Sequence, residues 1–366
     1  TLFGKIFDWI GTRLGFVLAI GVWSLATILH AVATSLLTFS IFRGLLGVSE
    51  AGNWPGATKA NAEWFPIKER ALAQGIFNSG AAIGGIVSAP IVGLFFIWFG
   101  SWQATFIMIG LLGLLWLVPW LIIYKSGPDS HPWLEESERE YILTGQRNTE
   151  THQVAEYAPT SREILSRRQS WGVIMASFFL DPIWWLFVGW LPLYLYETYG
   201  FGVAEIARFA WIPYVGAMFG AWFGGLLAQN RISAGWTVNK ARKFVISLGG
   251  LIMLVSLLMT IKAATPIIAV LLMAAILFGF QTAVGNIQTL PSDFYSGKSV
   301  GSLAGFAGTA AKLAVVLLNF LIPVITVNSY APAFAVGAAL AIMTVLSVWI
   351  LCGRIQPLSP SSASST

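Results

Sequence analysis

Residues 4–15 read GKIFDWIGTRLG and place three glycines around three charged side chains, Lys5, Asp8 and Arg13. Three residues separate Gly4 from Asp8, and Gly11 follows before Arg13. A long apolar run begins directly after this stretch. Glycines beside charged groups at the start of an apolar run predict a tight loop between two membrane-spanning helices.

The apolar runs continue along the whole chain of 366 residues, which is 56% hydrophobic and 10% charged. Segments of about 20 residues match the length that a helix needs to cross a bilayer. They are too long for the tilted, alternating strands of a membrane barrel. The sequence therefore predicts an all-α integral membrane protein with ten spans, over residues 14–37, 38–62, 71–98, 103–124, 171–197, 204–228, 243–262, 266–289, 300–327 and 330–352.

The basic residues are distributed unevenly between the two sides of these spans. Only Arg208 and Lys262 fall on one side, which is expected to be external. The opposite side holds most of the 21 Lys and Arg residues, namely Lys5, Arg13, Lys59, Lys68, Arg70, Lys125, Arg139, Arg147, Arg162, Arg167, Arg168, Arg231, Lys240, Arg242, Lys243, Lys298 and Arg354. This is the positive-inside pattern, which predicts a cytoplasmic C-terminus and explains the basic net charge without nucleic acid.

One long polar segment, residues 125–170, divides the chain. It is expected to be a cytoplasmic central loop between an N-terminal half, residues 1–124, and a C-terminal six-helix half, residues 171–353. Residues 354–366 are expected to form a cytoplasmic tail. A second glycine turn followed by bases, GGLLAQNRISAGWTVNKARK over residues 224–243, occupies the place in the second half that residues 4–15 occupy in the first. Two six-helix halves would require two further spans before residue 1.

Five stretches together resemble a known transporter family. GKIFDWIGTRLG resembles the signature loop of the major facilitator superfamily, although Trp9 stands where a base is frequent. Within that superfamily, RGLLGVSEAGNWPG (43–56), GIFNSGAAIGG (75–85), DPIWWLFVGWLPLYL (181–195) and GNIQTLPSDFYSGKSVGSLAG (285–305) resemble the anion:cation symporters, especially the hexuronate and related sugar-acid proton symporters. The resemblance implies a fold of twelve helices, of which the chain carries ten, the third to the twelfth. It also implies two pseudo-symmetric halves that rock about a site near the middle of the bilayer.

Arg43 and Glu50 are the candidate proton-coupling pair. Seven residues correspond to nearly two helical turns, so the two side chains share a face about 10 Å apart. A charge costs at least about 2.5 kcal/mol in the middle of a bilayer, so both are expected to face a polar cavity. A carboxyl whose pKa is raised by burial and lowered by a guanidinium can change protonation when the guanidinium moves. The alternative is a static ion pair between helices; the resemblance implies the coupling role.

Five further residues are candidates for substrate binding. Asn78 lies in a helix where the resemblance implies a polar contact with substrate. Asn286 matches a position that resembles the family's amide contact to substrate, and Gln281 lies five residues before it. Amides inside a membrane protein also commonly hydrogen-bond a neighbouring helix. Tyr194 offers an aromatic face to a sugar, although core packing is the commoner role of such a ring. Lys312 lies deep in a span and is expected to face the cavity or a carboxylate such as Asp181.

The loop of residues 4–15 is a candidate gate. The resemblance implies that Asp8 and Arg13, with the turn formed by Gly4 and Gly11, latch the two halves through charge and helix-dipole contacts. Solvated loop charges are the alternative.

Together these features predict a proton-coupled symporter that imports an organic anion, a hexuronate, aldonate or aldarate, across the inner (plasma) membrane. Another monocarboxylate or dicarboxylate carrier, or an antiporting exporter, remains an alternative.

The three histidines are scattered and one cysteine is present, so no metal site, cofactor or enzyme active site is predicted. The expected partners are the small anion, protons and the lipid bilayer, with the protein acting as a monomer.

Overall fold

The computed structural model describes residues 2–146, 159–201, 206, 209–295 and 299–358. All regular structure in these residues is helical. The helices are α1 (Leu2–Leu29), α2 (Leu36–Glu50), α3 (Asn53–Trp64), α4 (Arg70–Phe99), α5 (Trp102–Ile123), α6 (Glu136–Gln146), α7 (Ser161–Ser166), α8 (Arg168–Tyr199), α9 (Ile212–Ser233), α10 (Val238–Thr260), α11 (Pro266–Phe294), α12 (Val300–Ile325) and α13 (Ala331–Leu346). A 3₁₀ turn, His30–Val32, follows α1, and a π-helical turn, Ser347–Leu351, follows α13.

Helix α1 is two helical segments joined at Gly11, whose φ of 81° and ψ of 167° are non-helical. A side chain at this left-handed φ would be strained, so glycine is the residue that permits the turn. The predicted loop is therefore a sharp bend between segments 2–10 and 12–29. We call the end of the bundle that holds this bend the motif end.

Seven described helices are long and apolar enough to cross a bilayer, whereas the sequence predicts ten spans. The predicted span 38–62 is divided at Ala51 and Gly52 into α2 and α3, of 15 and 12 residues. Neither reaches the length of about 20 residues that crosses alone. The predicted span 71–98 corresponds to the 30-residue helix α4, and the described part of the span 204–228 is mainly α9. The all-helical prediction is confirmed, and the count of ten remains a prediction.

The polar segment between α5 and α8 contains helices as well as loop. α6 lies against the connection between α3 and α4, where Ile67 N donates to Gly145 O at 3.0 Å and Gln146 Nε2 donates to Glu63 O at 2.6 Å. A capping box at Thr160 begins the short helix α7, which leads into α8. The described parts of this segment, residues 125–146 and 159–167, thus pack on the motif end.

We call the helices before residue 125, α1–α5, the first group and those after residue 167, α8–α13, the second group. Small residues allow α4 of the first group to cross α9 of the second group closely. A Cβ at Gly75 would lie 2.3 Å from Ala221 O in α9, and a Cβ at Gly225 would lie 2.4 Å from the Cα of Leu72. Glycine contacts of this kind let membrane helices approach until their backbones touch. The larger buried core lies among α8–α13, and a smaller aromatic core around Phe7 and Phe16 lies in α1.

Candidate functional site

Asp8 joins the bend of α1 to the start of α12. Its Oδ2 accepts hydrogen bonds from Ser302 N at 2.7 Å and Ser302 Oγ at 2.6 Å, and its Oδ1 accepts from Gly301 N at 3.2 Å. The first backbone N–H groups of a helix lack intrahelical acceptors and carry partial positive charge. The Asp8 carboxylate therefore occupies the anion-binding position at the N-terminus of α12.

Lys59 of α3 completes this contact from the other side of Asp8. Its Nζ lies 3.1 Å from Asp8 Oδ1 and donates to Phe7 O at 2.8 Å. Both side chains are buried, so the pair is shielded from solvent. In the sequence, Lys59 is predicted only as one of the basic residues on the cytoplasmic side. Its separation of 51 residues from Asp8 did not indicate that the two side chains pair.

The other predicted gate residues divide between the two helix groups. A Cβ at Gly4 would lie 2.2 Å from Gly301 O, so Gly4 is where α1 touches α12. Arg13 instead donates from Nη2 to Leu121 O at 3.1 Å in α5. Asp8 and Gly4 thus bridge the groups, Gly11 makes the bend, and Arg13 stays within the first group.

A second connection at the motif end is an ion pair that the sequence analysis did not identify. Arg242 Nε in α10 lies 2.9 Å from Asp293 Oδ2 in α11, and the side chains are 0% and 2% exposed. Arg242 Nη2 also donates to Ile67 O at 3.1 Å, in the connection before α4. Arg70 donates in the reverse direction, from Nη1 to Ser292 O at 2.9 Å.

A ladder of amides runs from this ion pair toward the middle of the bundle. Asn61 donates to Gln74 Oε1 at 2.8 Å, and Gln74 donates to Gln288 Oε1 at 2.9 Å. Asn78, a predicted substrate contact, donates to the same Gln288 oxygen at 2.8 Å. Asn78 therefore joins α4 to α11 in this conformation. Gln288 lies seven residues after Gln281, and that spacing was the signal in the sequence that could have identified it.

Three other predicted substrate contacts lie inside the second helix group. Asn286 is fully buried, accepts from Arg242 Nη1 at 3.2 Å and donates to Gly224 O at 3.2 Å. Tyr194 is buried among aromatic rings and lies 3.2 Å from the Tyr199 hydroxyl. Gln281 is buried too, but its Oε1 has no hydrogen-bond partner within the described residues.

Lys312 pairs with Asp181, as the sequence predicted for a lysine at this depth. Its Nζ lies 2.7 Å from Asp181 Oδ2 and 4.9 Å from the centre of the Trp185 ring. Helix α8 passes through Pro182 and Pro192 without ending, so Asp181 does not cap a broken helix.

Arg43 and Glu50 are both exposed in α2. No ion pair joins them within the described residues, which fits the axial separation that the sequence predicts. Neither side chain contacts the motif end through a described hydrogen bond. The structure thus places the two on one helix and does not bring them together.

A cavity of about 1280 Å³ lies among α1, α3, α4 and α5. Its lining is mostly aromatic and aliphatic, with Asn53, Asn61 and Glu69 among the polar exceptions. None of the predicted substrate contacts lines it. A surface of this composition suits apolar packing better than a polyhydroxy anion.

Comparison with known proteins agrees with this architecture. The family model described as the Major Facilitator Superfamily matches residues 1–319. The hexuronate transporter of Escherichia coli K12 is 34% identical over 94% of this chain and 80% of its own length. The galacturonate transporter of Dickeya chrysanthemi is 38% identical over 69% of this chain and 72% of its own. The solved structure of a proton:xylose symporter shares the fold, with a TM-score of 0.71 at 14% identity over 97% of this chain and 84% of that chain.

The matched family and these relatives are transporters, which confirms the prediction that the chain is not an enzyme. Its apolar helices cross the inner membrane several times. The chain belongs to the Major Facilitator Superfamily.

Proposed function

We propose that the protein imports a sugar acid, a hexuronate, aldonate or aldarate, together with protons by alternating access. The observation that carries this proposal is the 34% identity to a hexuronate transporter across nearly the whole chain. The contacts at the motif end support it, because they are polar, reversible links between two helix groups. Alternating access requires links of that kind.

The motif end is proposed to be the cytoplasmic gate, in its closed state. Opening it would remove Asp8 from the N-terminus of α12 and separate Arg70 from Ser292 O. Asn78 and Gln288 would part at the same step. Asp8, Gly4, Gly11 and, within the first half, Arg13 are the proposed gating residues.

Replacing Asp8 with asparagine is expected to open this gate more often. The amide keeps the shape of the side chain and loses the charge that binds the N-terminus of α12 and Lys59. A loss of about 1.4 kcal/mol would raise the open population about tenfold. Ser292→Cys offers a reporter, since the native Cys352 is buried, and its maleimide labelling rate is expected to rise about tenfold in the Asp8→Asn background.

The matched control is Asp129→Asn in the exposed connection after α5, which is expected to leave the labelling rate unchanged. Equal labelling in the Asp8→Asn and control backgrounds would show that Asp8 does not hold the gate.

Arg43 and Glu50 are proposed to couple transport to protons. In a conformation that brings the two side chains together, the guanidinium would stabilise the carboxylate, and an anionic substrate that draws Arg43 away would remove that stabilisation. The exposure of both side chains supports this proposal, since each is free to rearrange.

The proposed substrate contacts differ in exposure. Lys312 is exposed and is proposed to supply a cation. Asn78, Gln281, Asn286 and Tyr194 are buried in this conformation, and they are proposed to reach the substrate when the helix groups move apart. The halves are proposed to comprise residues 1–124 and 171–353 of a monomer, with residues 125–170 and 354–366 cytoplasmic.

A competition experiment tests the substrate class. Labelled galacturonate uptake into vesicles is measured with unlabelled glucuronate, galactonate, glucarate or acetate in excess. Competition by the sugar acids and not by acetate is expected. Inhibition by acetate equal to that by the sugar acids would favour a general carboxylate carrier. Export of labelled galacturonate from loaded vesicles, without uptake into empty ones, would favour an antiporter.

A further inference from the structure

The ion pair of Lys312 and Asp181 lies far from the gate. Lys312 is 12 residues into α12 and Asp181 is 13 residues into α8. At 1.5 Å per residue these positions are about 18 and 20 Å from the motif end, near the middle of a bilayer. The pair therefore lies at the depth where transporters of this kind of fold bind their ligands.

This pair is open, unlike the two buried ion pairs at the motif end. The side chains of Lys312 and Asp181 are 61% and 24% exposed, against 6% and 8% for Lys59 and Asp8. Charges at mid-bilayer are too costly to face lipid. An exposed pair at this depth therefore borders a water-accessible space, from which a dissolved anion can reach the ammonium group.

Polar groups on α12 continue the site on both sides of Lys312. Asn319 is seven residues further along and so lies on the same face, and Thr309 lies one turn earlier. Asn319 Oδ1 accepts from Trp190 Nε1 at 3.3 Å, while the Trp185 ring lies beside the ammonium. An ammonium group beside an indole ring, with a hydroxyl one turn before it and an amide two turns after it on the same helix, suits a carboxylate that carries hydroxyl groups.

No other described charge competes for Asp181 at this level. The helices that pack on α8 are α7, α11, α12 and α13, with the π-helical turn, and α12 packs in turn on α1 and α3. Apart from Lys312, the charged groups on these elements lie near the motif end. They are Lys5, Asp8, Arg13, Lys59, Glu63, Arg162, Glu163 and Asp293 in the described residues. On α8 itself, Arg168 and Glu197 lie near the ends of the helix, and Tyr194, Tyr196 and Tyr199 lie near the second end.

We infer that Asp181 pairs with Lys312 while no substrate is bound. The substrate carboxylate then displaces Asp181 from Lys312, and Asp181 takes up a proton. The inference rests on the proposed sugar-acid transport and adds a second proton-linked site to it, located wholly in the second half. The exchange is balanced: the incoming carboxylate brings one negative charge, the proton one positive charge, and the site stays neutral. Binding should accordingly weaken as pH rises.

Calorimetry of galacturonate binding to the purified full chain tests the inference. Titrations at pH 6 and pH 8, in buffers with different ionisation enthalpies, give the affinity and the protons taken up per ligand. Asp181→Asn is expected to remove up to one proton per ligand and to flatten the pH dependence of the affinity. Lys312→Met is expected to weaken binding about tenfold or more, because a charged hydrogen bond to the carboxylate is lost.

The matched control is Lys262→Met, at the exposed turn after α10, which should bind as the wild type does. Unchanged proton uptake in Asp181→Asn, or unchanged affinity in Lys312→Met, would overturn the inference and leave the proposed function standing. If Asp181→Asn does not fold, Asp181→Glu keeps the pair and its exchangeable carboxyl group. This variant should take up as many protons per ligand as the wild type and should bind more weakly at pH 8 than at pH 6, and loss of either property would overturn the inference. A wild type that binds no sugar acid would overturn the proposed function and the inference together.

Discussion

Replacing Glu50 with glutamine is expected to lower proton-driven accumulation about tenfold while leaving exchange of substrate across the membrane intact. An inward gradient of one pH unit corresponds to about 1.4 kcal/mol per proton and so to about tenfold accumulation for each coupled proton. Glutamine keeps the size of the side chain but cannot carry the proton. Accumulation should therefore lose the factor of about ten that the proton of Glu50 supplies, and counterflow of labelled galacturonate should continue near its wild-type rate.

Glu138→Gln provides the control, since Glu138 is exposed on α6, outside the helices that enclose the proposed site. It should accumulate substrate as the wild type does. If Glu50→Gln accumulates substrate as well as this control, Glu50 is not the proton carrier. If both accumulation and counterflow are lost, Glu50 is needed for binding or folding instead of coupling.

Replacing Asp293 with asparagine is expected to destabilise the protein by about 3 to 5 kcal/mol. Arg242 would keep its charge at 0% exposure and lose its carboxylate partner. An unpaired buried charge costs far more than the pair contributes when intact. Thermal unfolding in detergent should show a large fall in midpoint temperature for this variant.

The same carboxylate-to-amide change at Glu136 serves as the control. Glu136 pairs with Arg139 on the surface of α6, where its side chain is 81% exposed. Surface pairs of this kind contribute less than about 1 kcal/mol. Equal midpoint temperatures for Asp293→Asn and Glu136→Gln would mean that Arg242 finds another acceptor or that water reaches it.

The sequence was sufficient where one short stretch determines its own geometry. A glycine at position 11 predicts a turn, because glycine adopts a positive φ without strain. The structure has that turn, with a φ of 81° at Gly11. The pairing of Lys312 with Asp181 was also predictable, because a lysine at mid-bilayer needs a partner and few carboxylates lie at that depth. The all-helical architecture followed from the length of the apolar runs.

The contacts at the motif end were not predictable in the same way. Arg70 and Ser292 are 222 residues apart, and Arg242 and Asp293 are 51 apart. The charge bias accounts for Arg70 and Arg242 without these contacts, since a base near a helix end satisfies that pattern whether it is buried or solvated. Periodicity did not reveal that Asn286 and Tyr194 point into the second half, because both faces of these helices carry large apolar residues.

The division of the span 38–62 also escaped prediction. Hydropathy averages over the turn at Ala51 and Gly52, because both are small and neither is polar. The turn separates α2, which carries Arg43 and Glu50, from α3, which carries Lys59. The candidate coupling pair and the gate are therefore on separate helices.

Uptake of labelled galacturonate into proteoliposomes under an imposed inward proton gradient tests the central claim most directly. Accumulation above the external concentration is expected, about tenfold per coupled proton for one pH unit, and it should disappear when a protonophore collapses the gradient. Uptake that stops at the external concentration and is indifferent to the protonophore would contradict proton-coupled sugar-acid transport by this protein.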